Sequence, residues 1–268
     1  MPHSDITIVI LSCASFSDTW STHLSLLNKY WKERPNYILV SDGKGIFDLE
    51  TDSNLLIINK DMSDRIIDVV SGVSTDYVLL VFDDHCLTNF FDNSKFYELL
   101  NYIKDNKIDY CGFSQNFKQR VKKSERKKIA SKLCLTENYE VNFHTSIWKK
   151  SALLKCLKPS ESVWKTEVRL TRRARENKLN CYGVTDNRFY PYIELIIKGK
   201  YFRNAYKYLC TNKLFVSDRE IMSRRLTLKY RIRLFLSLHL PKFLLNFFRN
   251  IYRKFGTTIY SDYANTDD

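Results

Sequence analysis

Two runs of this chain are apolar almost without interruption: residues 6–11, ITIVIL, and residues 78–82 inside YVLLVFDDHCL. Runs of that kind, in place of alternation, mark strands covered on both faces of a parallel sheet. Residues 37–40, closed by Ser41, Asp42 and Gly43, and residues 55–58 read as shorter strands. Between them, residues 18–31 set Trp20, Leu24, Leu27, Tyr30 and Trp31 at helical spacing behind an N-cap at Ser17 or Asp18. Ser63 is the candidate cap of a helix carrying Ile66, Ile67, Val69 and Val70. The order β-α-β-β-α-β with short connections predicts an α/β fold, a Rossmann-like, mostly parallel sheet flanked by helices.

The pattern continues with a helix over 94–104, capped by Asn93 or Ser94, and strands over 108–113 and 139–143. A helix over 151–157, a segment 161–175 holding Trp164 and Glu167, a strand over 181–185 and a helix over 201–209 complete it. Residues 118–132 break the rhythm with eight basic residues and one acid, either a solvated loop or one that closes over a bound diphosphate. From 224 to 240, Leu226, Leu228, Tyr230, Ile232 and Leu234 alternate with polar or basic residues, a strand pattern. After Pro241, Lys242, Asn246, Arg249 and Arg253 face away from Leu244, Phe247, Phe248, Ile251 and Phe255. That is the pattern of a basic amphipathic helix lying in an anionic membrane surface; docking on its own domain or on a second copy is the competing reading. The expected organisation is a catalytic domain over 1–212, a membrane-associating segment over 213–256 and a tail over 257–268.

Composition narrows the function. Forty-three Lys and Arg against 30 Asp and Glu leave a net charge of +13, which suits a polyanionic partner. No helix-turn-helix, zinc-finger or RNA-binding signature is present, so phosphate and membrane, and not nucleic acid, are the expected partners. Seven scattered cysteines without a CxxC pair argue against a disulfide framework or zinc site and for a reducing compartment. No run reaches the roughly 20 apolar residues of a membrane span, and the N-terminus lacks a basic leader. The expected location is the cytoplasm, peripheral on the inner face of the cytoplasmic membrane.

The chemistry concentrates at Asp83 and Asp84. Ligands of open α/β sheets bind beyond the C-terminal strand ends, and adjacent carboxylates are relieved by a divalent metal carrying a diphosphate. A strand-to-loop turn that happens to be acidic is the alternative.

In order along the chain, TIVILSCASFSDTW, LLNKYW, MSDRIIDVV, YVLLVFDDHCL, HTSIWKKSALL and ESVWKTEV resemble a family of bacterial GT-A-like glycosyltransferases encoded with surface-polysaccharide genes of the capsule, O-antigen and lipopolysaccharide type. The resemblance lies between residues 6 and 170, and departs where the family carries Asp-Lys and this chain has Ala14 and Ser15. It implies that Asp83 and Asp84 hold Mg²⁺ or Mn²⁺ against the diphosphate of a nucleotide sugar, oxygen ligands favouring a hard cation. Ser12, Asp18 and Arg65 join them as donor-binding residues, an ion pair being the other reading of Arg65. Glu167 is the implied general base of an inverting transfer, which is favoured with a retaining one left open, its pKa raised by apolar neighbours such as Trp164; a helix-surface glutamate is its other reading. His144, Trp148 and Trp164 would line the site of a glycan or lipid-linked acceptor, core packing being the other reading for Trp148. Two rivals stand beside a glycosyltransferase. A nucleotidyltransferase ordinarily has a Gly- and Lys-bearing loop after its first strand, which residues 11–18 lack. A non-catalytic membrane adaptor would keep the fold without the chemistry.

Overall fold

The computed structural model describes residues 5–45, 54–113, 128–186 and 188–239. The chain divides into two compact units, Met1–Ile193 and Glu194–Asp268. Most of the basic run (118–127) and the segment after Pro241 lie outside the described residues.

The first unit contains strands β1 (Ile6–Leu11), β2 (Tyr37–Ser41), β3 (Leu55–Ile57), β4 (Tyr77–Phe82) and β5 (His85–Leu87). These are followed by β6 (Tyr110–Gly112), β7 (Ala130–Lys132), β8 (Ser146–Lys149) and β9 (Cys181–Val184). All but β5 form one eight-stranded sheet in the order β3-β2-β1-β4-β8-β6-β9-β7. The strands β3, β2, β1 and β4 are mutually parallel, β8 runs antiparallel between β4 and β6, and β7 is an antiparallel edge. The sheet is therefore mixed but mostly parallel.

All six residues of β1 are buried, and they divide between two layers. Ile6, Ile8 and Ile10 pack with Trp20 and Leu24 of α1 (Trp20–Tyr30) and with Phe96, Leu99 and Ile103 of α3 (Asn93–Asp105). Val9 and Leu11 pack with Ile66, Val69 and Val70 of α2 (Met62–Gly72), Leu153 of α4 (Lys150–Cys156) and Leu170 of α5 (Val163–Glu176). Helices on both faces explain the unbroken apolar runs: each such side chain, whichever way it points, gains about 1.5–3 kcal/mol by leaving water.

Local differences from the sequence reading have local causes. The 139–143 stretch is not a strand. Tyr139 takes a positive φ of 65°, Asn142 side-chain atoms bond the Tyr139 carbonyl and the His144 N–H, and the Val141 N–H goes to Thr171 Oγ1 at 3.0 Å. The strand lies just beyond, at β8. The caps also shift: Asp61 precedes α2 while Ser63 Oγ accepts the Glu161 N–H at 3.0 Å, and Asp92 caps α3 through the Lys95 N–H. A 3₁₀ turn, Ala14–Thr19, precedes α1.

In the second unit, β10 (Ile196–Ile197) and β11 (Lys200–Tyr201) form a hairpin whose two turn residues, Lys198 and Gly199, both have positive φ, as a type I′ turn requires. Helix α6 (Arg203–Thr211) buries Ala205 and Leu209. Residues Arg224–His239, expected as a strand, form helix α7. Ser223 Oγ accepts the Leu226 N–H at 3.2 Å at its start, and Arg, Leu and Lys are good helix formers.

Candidate functional site

Three adjacent parallel strands end in polar residues on one edge of the sheet: Ser12 after β1, Asp42 after β2 and Asp83 after β4. The chain builds β2 and β3 to one side of β1 and then crosses to place β4 on the other. Ser12 and Asp83 therefore flank the switch point, where open α/β sheets form their ligand crevice.

The carboxylates of the acidic pair are not equivalent. Asp83 is 3% exposed and turned inward, where Ser12 Oγ donates to its Oδ2 and Thr19 Oγ1 lies 3.2 Å away. Trp20 Nε1 in turn donates to Ser12 Oγ at 2.6 Å. Burial pushes the Asp83 carboxyl up to about 7 against these hydrogen bonds, and the negative charge of Asp18 adds to the rise. Asp83 thereby ties β4 to the loop after β1. Asp84, its side chain 14% exposed, faces His85 Nε2 at 4.0 Å.

A second tie holds the same loop. Asp42 accepts the Ala14 N–H at 2.7 Å with one oxygen and pairs with Arg65 Nη1 at 2.9 Å with the other. Burial would raise the Asp42 carboxyl, but the Ala14 N–H and Arg65 outweigh it and hold it below its ordinary value. Arg65, 3% exposed, acts on the loop through Asp42. Gly45, with φ of 73°, continues this edge; a Cβ there would fall 2.2 Å from Ser17 Cβ. Asp18 is buried in the 3₁₀ turn between the two ties.

Beyond Asp84, three rings are layered. His85 stacks on Tyr192 at 4.5 Å and on His144 at 5.5 Å. Burial lowers the pKa of both histidines, so both are neutral at pH 7. His144 follows Phe143, whose backbone N–H hydrogen-bonds the Glu167 carboxylate on α5. Burial raises the Glu167 pKa, and that N–H only partly offsets the rise. Asp84, His144 and Glu167 are thus linked through His85 and Phe143. Trp164, on the first turn of α5, is 59% exposed. Trp148 is not at this surface: it is fully buried on β8, edge-on to Tyr110 at 4.6 Å, with Nε1 donating to Ser146 Oγ. Of its two readings, lining an acceptor site or packing in the core, Trp148 takes the second.

As site residues, Asp42, Trp20 and Tyr192 escaped the sequence reading. Asp42 carried a signal, an acid directly after a strand like the Asp83-Asp84 pair, but it stood in what read as a turn. Among the described residues, no group of three or more His, Cys, Asp or Glu side chains is arranged to hold a metal ion. With Asp83 committed to Ser12 and Thr19, Asp84 is the more exposed member of the pair.

No protein-family model and no curated protein matches the chain. Solved structures do. S. aureus TarS 1–349 in complex with UDP-GlcNAc aligns with a TM-score of 0.50 at 15% identity, over 70% of this chain and 57% of that one. Another S. aureus TarS 1–349 structure gives 0.49 at 14% identity, over 70% and 59%. A cytidylyltransferase from Leptospira borgpetersenii gives 0.44 at 11%, over 82% of this chain and all of that one. The chain thus spans less than three-fifths of the TarS 1–349 structures. At such identities the likeness is one of fold, and the fold of this chain is GT-A-like.

Proposed function

We propose that the first unit transfers a sugar from a nucleotide-sugar donor to a glycan or lipid-linked acceptor of the surface-polysaccharide type, at the inner face of the cytoplasmic membrane. One observation carries this reading: beyond the switch point Asp84 meets His85, which stacks on His144, while Glu167 is bonded by the N–H of the adjoining Phe143, an order that would bring a nucleotide's phosphates and a half-buried base to one reacting centre. The GT-A-like fold shared with a protein crystallised with UDP-GlcNAc supports a nucleotide sugar as the donor class.

The chain's residues then divide the work. The loop after β1, fixed by Asp42 and Asp83, presents backbone amides to the nucleotide with little motion left to freeze on binding, Ser12 and Arg65 serving as positioning residues. Asp84, with the donor's own phosphate oxygens, would hold Mg²⁺ or Mn²⁺, which when bound neutralises charge on the departing nucleoside diphosphate. Glu167 takes the proton from the acceptor hydroxyl as its oxygen attacks the anomeric carbon opposite the leaving diphosphate, giving inversion. Its raised pKa makes it a stronger base than a solvated carboxylate. His144, neutral, hydrogen-bonds acceptor hydroxyls, and Trp164 offers an apolar ring face to the acceptor sugar.

The test is turnover. Purified protein is incubated with a panel of nucleotide sugars and Mn²⁺, and nucleoside diphosphate release is followed with and without acceptor extract. Release from one donor, lost in Glu167→Gln, supports the reading. Pyrophosphate-linked nucleotidyl transfer from a nucleoside triphosphate would replace it with the nucleotidyltransferase, and no turnover of either kind would favour the adaptor.

A further inference from the structure

Helix α7 buries one side within the second unit: Thr227 is 6% exposed, Tyr230 meets the Phe202 ring edge-on at 5.9 Å, and Arg231 lies over that ring at 5.8 Å. Away from that side, Leu228, Ile232 and Leu236 are 60%, 49% and 40% exposed. Spaced by four residues, they fall on one line along the helix. Arg225 and Lys229, both exposed, run beside the line at the same spacing, and Arg224, four residues before Leu228, stands at the head of the line itself. Between Glu220 and Asp262 the sequence holds nine Lys or Arg and no Asp or Glu.

We infer that this ridge is where the protein docks on an anionic lipid bilayer, with α7 lying in the interface plane. The apolar line sinks among the acyl chains while the flanking cations meet lipid phosphates. Charge selects this occupant. A second copy would bring the same cations against each other, and a nucleic acid would leave the apolar line in water. No described helix is long and apolar enough to cross a membrane, so the fit is to lying on the surface. The inference deepens the membrane setting proposed above and narrows the attachment, within residues 213–256, to α7, a segment whose sequence reads as a strand. It requires neither donor nor metal, so its failure would leave the transfer reading standing.

The full chain is sedimented with vesicles of phosphatidylcholine alone and of phosphatidylcholine mixed with phosphatidylglycerol, at low and high salt. The expected result is binding to the mixed vesicles, at least about tenfold weaker to the neutral ones and weakened by salt. The triple variant Leu228→Gln, Ile232→Gln, Leu236→Gln should lose binding by about tenfold or more at unchanged melting temperature, since all three positions are exposed. The pair Arg225→Gln, Lys229→Gln should lose much of the preference for phosphatidylglycerol. Equal binding to both vesicles, no binding to either, or a triple variant that binds like wild type would overturn the inference. So would a ridge that instead drives concentration-dependent dimerisation.

Discussion

The two units use charge in opposite ways. Residues 1–193 hold 28 Lys and Arg against 24 Asp and Glu, while residues 194–268 hold 15 against 6. In the first unit the decisive charges are buried and matched. Glu161 accepts from Arg169 Nη1 at 2.6 Å and from Arg173 Nη1 and Nη2 at 2.7 and 2.5 Å, joining the start of α5 to its middle. In the second, the Lys200–Glu220 pair sits with side chains 41% and 76% exposed, and cations outnumber acids. A buried pair that loses one partner strands a charge in low dielectric, whereas an exposed pair is replaced by water. The first unit therefore spends its charges on holding a shape, and the second keeps an excess for partners.

The contrast can be broken or sharpened by substitution. The largest effect is expected at Glu167. Glu167→Gln should lower kcat by about 10²–10⁴-fold, the worth of a general base. A buried carboxyl with a raised pKa opposes folding once ionised, so this variant should also be more stable than wild type at neutral pH. That gain should shrink as pH falls through the raised folded value toward the ordinary glutamate value of about 4.3, and be absent below it, where both states are protonated. Loss of activity with loss of stability would contradict a functional role.

Next, Glu161→Gln should destabilise the first unit by about 3–5 kcal/mol in urea unfolding, by leaving Arg169 and Arg173 buried without a counter-charge. Trp148→Ala should cost a similar 3–5 kcal/mol as a core cavity. The pH dependence has the opposite sign to that of Glu167. Burial would raise the Glu161 carboxyl, but its hydrogen bonds to Arg173 and Arg169 win and hold it low. Its contribution is therefore complete above about pH 4.3, the unfolded value, and lost as pH falls through the lowered folded value. Wild type should lose stability in that acid window more steeply than Glu161→Gln.

Smaller effects belong to exposed side chains. Trp164→Ala should leave stability within about 0.5 kcal/mol and raise the acceptor KM with little change in the donor KM. Lys200→Ala should cost no more than about 1 kcal/mol, and less in high salt. A large loss of stability from Lys200→Ala would erase the contrast between the units.

How much of this was legible in the sequence follows the same division. Strands β1 and β4 were readable because burial on both faces leaves almost no polar position in the run, and helices α1, α2 and α3 because their apolar positions keep one period. Strand β8 was missed because four residues, SIWK, carry too little pattern. Helix α7 was misread for a geometric reason: Leu228 and Ile232 satisfy both a two-residue and a four-residue spacing. At the site, the acidic pair was visible, but its asymmetry was not. Which aspartate turns inward is decided by Ser12, Thr19 and Trp20, more than 60 residues away in sequence, and adjacent letters cannot record that.

That asymmetry also gives the most direct measurement of the central claim, that Asp84 and not Asp83 meets a nucleotide donor. Thermal unfolding is recorded against nucleoside diphosphates with and without Mn²⁺, for wild type, Asp84→Asn and Asp83→Asn. A ligand at ten times its Kd adds about 1.4 kcal/mol to the folded state. The account predicts a Mn²⁺-dependent rise with one nucleotide, absent in Asp84→Asn at unchanged intrinsic stability. Asp83→Asn, its inward carboxylate replaced, should still respond. A well-folded wild type that responds to no nucleotide, or an Asp84→Asn variant that responds like wild type, would contradict it.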